Sequence, residues 1–77
     1  LGRKRRLLKG LPEWRTVFTY APDFSELGNR VKRALTEGKI RFKIEWDKII
    51  GVFSIRVLAS EFEKAVKAIN QELGLEI

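Results

Sequence analysis

Residues 39–46 read Lys-Ile-Arg-Phe-Lys-Ile-Glu-Trp, an unbroken alternation of charged and apolar side chains. Only a period of two accounts for it. Ile40, Phe42, Ile44 and Trp46 point to one side of a strand, and Lys39, Arg41, Lys43 and Glu45 to the other. A strand that is apolar on one face must cover that face with a second layer. The rest of the chain therefore has to supply elements with matching stripes.

It does so twice. Phe24, Leu27, Val31, Ala34 and Leu35 recur at helical spacing, and Phe62, Ala65, Val66, Ile69 and Leu73 repeat the pattern near the C-terminus. Asp23 or Ser25 can cap the first, Asp23 and Glu26 have capping-box spacing, and Ser60 with Glu63 makes a second box before the other stripe. Gly38 stands where a left-handed C-cap is expected, and Gly74 stops the second stripe. Gly28, inside the first helix, is read as allowing close packing on a sheet.

Two more strands complete the set. Residues 13–20, Glu-Trp-Arg-Thr-Val-Phe-Thr-Tyr, are aromatic and β-branched. Unbroken alternation would put Trp14, Thr16, Phe18 and Tyr20 on one face and Arg15, Val17 and Thr19 on the other. In residues 52–58, Phe53, Ile55 and Val57 share one face and Val52, Ser54, Arg56 and Leu58 the other, and the apolar second face suggests a central strand. Asp47-Lys48 offers a turn and Gly51 the end of a longer loop. Leu75-Glu76-Ile77 has room only for a stub of strand, and no internal repeat stands out.

The order β-α-β-β-α(β) predicts an α+β ferredoxin-like sandwich, an antiparallel sheet with both helices on one face and the first and third strands central. With 77 residues the chain holds one domain, residues 13–77, behind a basic arm of residues 1–12. The first ten residues carry Arg3, Lys4, Arg5, Arg6 and Lys9 without an acid, +5 of the net +6. The body is nearly neutral. With no cysteine and no histidine, disulfides, thiolate metal sites and imidazole catalysis are absent. A body of this size is marginal alone, so self-association is expected. No apolar run reaches the about 18 residues a membrane span needs, and the arm lacks a signal peptide's apolar stretch. A cytoplasmic location with no membrane partner is the expectation. Charged residues at 34% with neither Cys nor Met suit a thermophile. The absence of an initiator methionine leaves the extent of the gene product open.

The opening strand Val17-Phe18-Thr19-Tyr20 and the helix ending Ala34-Leu35-Thr36-Glu37-Gly38 belong to a wider pattern. Lys39-Ile40, the strand ending Ile55-Arg56-Val57-Leu58, and Glu61-Phe62-Glu63-Lys64-Ala65 continue it. Over about two thirds of its length the chain resembles a family of short bacterial domains described as signal-transducing proteins, with PII-like, ferredoxin-like architecture. The resemblance implies the fold and lends no catalytic residues. This chain lacks the long glycine-containing insert such domains often carry between the middle strands.

Two surfaces are candidates for function. The sheet face away from the helices would show Arg15, Arg41, Lys43 and Arg56 around a few apolar groups, able to meet phosphate or an acidic partner. Arg3, Lys4, Arg5 and Arg6 would add phosphate contacts. The plainer reading of that face is a solvated surface balanced by Glu13 and Glu45, or a dimer interface. With Trp14, Phe18, Phe42 and Phe53 assigned to the core, the open face lacks the aromatic platform of RNA-binding sheets. The apolar excess at Ile49, Ile50, Val52 and Leu58 points to dimer contacts. Scattered glycines form no phosphate loop, and Ser25, Ser60, Glu45 and Asp47 have structural explanations. The expectation is a non-enzymatic interaction or regulatory module without cofactor or metal, a homodimer with room for a further protein partner. The alternative is a nucleic-acid-binding accessory protein.

Overall fold

Each apolar pattern finds an element in the computed structural model, which describes residues 12–75. The chain is α+β, with β1 (Trp14–Tyr20), α1 (Ser25–Glu37), β2 (Phe42–Asp47), β3 (Val52–Leu58) and α2 (Phe62–Leu73). The strands form one antiparallel sheet in the order β1-β3-β2. β3 is central, as its two apolar faces suggested. β1 is an edge among the described residues, not a central strand. The arm, with Arg3, Lys4, Arg5, Arg6 and Lys9, lies outside the described residues, as do Glu76 and Ile77 of the expected final strand. Leu75 is exposed beyond the end of α2.

Both helices pack on one face of the sheet. Val31 and Leu35 of α1 and Ala65 and Ile69 of α2 meet Ile55 and Val57 of β3, with Tyr20 and Ile40, in one buried cluster. Phe18, Phe42, Phe53 and Phe62 pack around it, so the expected aromatic core holds at those positions. Ile40 joins the core from the loop before β2, which begins three residues later than its alternation suggested. Arg30 of α1 ties the helices together, its Nη2 donating to the Glu72 carbonyl at 2.8 Å and its Nε to Glu72 Oε2 at 3.3 Å.

Trp14 is the exception. Along β1, Thr16 pairs with Arg56 but Phe18 pairs with Ile55, so Val17 is an extra residue, a β-bulge. The bulge reverses the alternation. Phe18 and Tyr20 keep the helix side, opposite Ile55 and Phe53, while Trp14 and Thr16 turn to the open face opposite Leu58 and Arg56. Arg15, opposite Val57, moves to the helix side, where its guanidinium lies 5.7 Å from the Phe62 ring. Val17 itself packs against the core.

The helix starts also differ from the expected capping boxes. Each helix is entered through a 3-10 turn, Pro22–Phe24 or Ala59–Glu61, and no side chain caps either helix start. Ser25 Oγ instead donates to the Pro22 carbonyl at 2.6 Å. Tight i→i+3 bonding takes up backbone groups that a capping oxygen would otherwise serve. The two turns share a local repeat that periodicity alone passes over: Ala21-Pro22-Asp23-Phe24 and Ala59-Ser60-Glu61-Phe62.

At the helix ends, Gly74 is left-handed at φ 70°, whereas Gly38 does not take the expected left-handed conformation, at φ −81°. Lys39 takes it instead, at φ 57°. The Ile40 amide donates to the Leu35 carbonyl and the Lys39 amide to that of Thr36, at 2.9 and 3.0 Å, which is the Schellman pattern with lysine where glycine is usual. A side chain there strains the backbone. Lys39→Gly is expected to stabilise the fold, by up to about 1 kcal/mol after the added freedom of the unfolded chain is subtracted. A higher urea midpoint at unchanged slope would register it, and a lower midpoint would contradict it.

Candidate interaction surface

The open face of the sheet carries a mixed polar cluster. Lys43 and Arg56 stand directly opposite each other on β2 and β3. Two like charges at that spacing repel, and Glu45 relieves them: its carboxylate lies 3.6 Å from Lys43 Nζ and 3.4 Å from Arg56 Nε. Arg56 Nε also donates to Thr16 Oγ1 at 3.2 Å. Lys43 Nζ sits 4.8 Å from the centre of the Trp14 ring, a cation–π arrangement the bulge creates. Of the four cations expected to converge, only Lys43 and Arg56 do so. Arg15 is on the other side of the sheet beside Glu13, at 3.6 Å, and Arg41 is exposed just before β2.

The second surface is the helix-side face of β2. The helices pack on β1 and β3, so the apolar row of β2 runs beyond their cover. Phe42 is half-buried, but Ile44 is 37% exposed and Trp46 50%. Trp46 rests on Phe53 with ring centres 4.6 Å apart, and Phe53 stacks on Tyr20 at 5.3 Å. An aromatic row thus leads from the core to the sheet edge.

The β2–β3 hairpin extends this edge. Asp47 Oδ1 accepts the amides of Ile49 and Ile50 at 2.9 and 3.3 Å, and the Asp47 carbonyl accepts that of Gly51 at 2.8 Å. This holds a four-residue loop whose tip shows Ile49, 88% exposed, and Ile50, 68%. The two other expected dimer contacts do not join them. Val52 and Leu58 are half-buried at opposite ends of β3, about 20 Å apart at the usual rise of a strand. The depression beside the hairpin, 300 Å³ and lined in part by Glu45, Asp47, Ile49 and Arg56, opens to solvent. Such a shape suits a macromolecular contact better than an enclosed ligand.

Among the described residues, no three potential metal ligands converge, and no helix is long and apolar enough to cross a membrane. Compared with known proteins, the chain matches no family model, no curated protein and no solved structure at a significant level. Ile44 and Trp46 are the surface residues that sequence reasoning missed. Their alternation pointed both inward, Trp46 less decisively because it stands at a strand end, and only the lateral position of the helices leaves them in water.

Proposed function

We propose that this chain is a non-enzymatic interaction module of ferredoxin-like architecture that associates with a copy of itself. The observation behind it is the uncovered row on β2: Ile44 and Trp46 lie on the core side of the sheet yet stay exposed. Apolar side chains continuous with a core, on an edge strand, are unfavourable in water and favourable in an interface. Ile49 and Ile50 lengthen the same edge. The order β1-β3-β2 with both helices on one face supports the ferredoxin-like assignment. With it goes the proposed kinship to bacterial signal-transducing domains.

A second reading, nucleic-acid binding, draws support from Trp14 beside Lys43 on the open face. Glu45 weighs against it by occupying both cations of that cluster. One pair of measurements separates the readings. Sedimentation equilibrium is expected to give a dimer mass, and a monomer at millimolar concentration would overturn the proposal. Titration with RNA and DNA oligomers is expected to leave tryptophan fluorescence unchanged; quenching at low salt that vanishes at high salt would favour the second reading.

A further inference from the structure

We infer that two copies of the chain pair antiparallel along β2, about a two-fold axis through Ile44, to make one continuous six-stranded sheet. This inference rests on the self-association proposed above and names its geometry. It comes from the charge pattern of the strand together with the direction of its main-chain groups.

With Ile44 opposite Ile44 of the partner, residues equally distant from it face each other. Lys43 then meets Glu45 of the second copy, Arg41 meets Asp47, and Phe42 meets Trp46. Each charge faces its opposite and each aromatic another aromatic. In an antiparallel pair, opposed side chains lie on the same face of the sheet. Lys43 and Glu45 are already on the open face, and Phe42, Ile44 and Trp46 on the helix side. The charge ladder would therefore form in water while the exposed Ile44 and Trp46 are covered by their counterparts.

The backbone agrees with this register. The Asp47 carbonyl accepts Gly51 and so points toward β3. Successive carbonyls of a strand point to opposite edges. Those of Phe42, Ile44 and Trp46 consequently point outward, with their amides, and a two-fold axis at Ile44 makes its pair hydrogen-bonded. The helices over β1 and β3 leave the helix side of β2 open to the second copy. The other edge is a poorer candidate, since the bulge at Val17 breaks the regularity of β1.

The test uses the full chain and two variants, Lys43→Glu and the exchange Lys43→Glu with Glu45→Lys. In Lys43→Glu, two symmetric attractions become repulsions, so the dimer dissociation constant should rise about tenfold or more at low salt. The fold itself should suffer little: the change removes the Lys43 contacts with Glu45 and Trp14, which are solvent-exposed, and replaces its like-charge pair with Arg56 by an opposite one; circular dichroism checks this. The exchange variant restores complementarity and should dimerise within a few-fold of the parent. If the parent dimer withstands Lys43→Glu, or the folded exchange variant is no tighter than the single one, the β2 register is wrong while self-association stands. A monomeric parent would overturn both.

Discussion

Ile55→Ala is expected to cost about 2–5 kcal/mol of folding stability. Ile55 is fully buried at the middle of β3, between Phe18 on β1 and Ile44 on β2, beneath the side chains both helices send inward. Truncation removes three carbons from a site walled by β-strand backbone on both sides, where collapse around the void is limited. Stabilities of about 0.05–0.15 kcal/mol per residue imply some 3–10 kcal/mol for a body of this size. The variant should then be substantially unfolded at room temperature or melt far below the parent. Ile55→Val, which removes one carbon, should cost only about 0.5–1.5 kcal/mol. Urea unfolding at one fixed protein concentration would measure both, the fixed concentration being needed because self-association adds to apparent stability. A loss under about 1 kcal/mol for Ile55→Ala would mean that β3 is not the centre of the core.

Gly28→Ala should also destabilise, against the intrinsic preference of a helix for alanine. A Cβ at position 28 would lie 2.5 Å from Cζ of Tyr20 and 2.6 Å from its Cε2. Tyr20 cannot step aside freely, for it is buried and stacked on Phe53. Overpacking costs about 1–3 kcal/mol, and the helix gains up to about 1 kcal/mol from losing its glycine. The net loss should therefore reach about 2 kcal/mol by urea unfolding. Gly28→Val should lose more. In a Tyr20→Leu background, where the ring is gone, the alanine should become neutral or favourable, a non-additivity expected only of residues in contact. An additive pair would contradict the close approach of α1 to β1.

The fold was largely legible because its signals are local. The alternation of residues 39–46 and the helical stripes of α1 and α2 are each local to one segment, and each formed with the face its pattern assigned, except that Ile40 lies before β2 and Phe24, first of the α1 stripe, is exposed in the turn before the helix. The close approach at Gly28 and the centrality of β3 followed from composition in the same way. The errors with the largest consequences share a cause: each needed a partner distant in sequence. Nothing in residues 13–20 marks Val17 as an extra residue; the bulge exists only relative to β3. That one residue moved Trp14 to the open face, sent Arg15 to the helix side and dissolved the expected four-cation cluster. Gly38 and Lys39 are a smaller and local exception, in which the bond from the Ile40 amide to Leu35 goes with Lys39, not Gly38, taking the left-handed turn.

The candidate site divides along the same line. The symmetry of charge about Ile44, lysine against glutamate and arginine against aspartate, is written in residues 41–47. Periodicity, burial preference and like-against-unlike charge are properties of a segment, and the chain alone determined them here: three strands, two helices, and an apolar side on each. That β1 lies at an edge among the described residues, which apolar side chains the helices fail to cover, and where a strand slips by one residue depend on how separate segments meet. Those contacts form only when the whole chain packs, so the tertiary structure alone decided them.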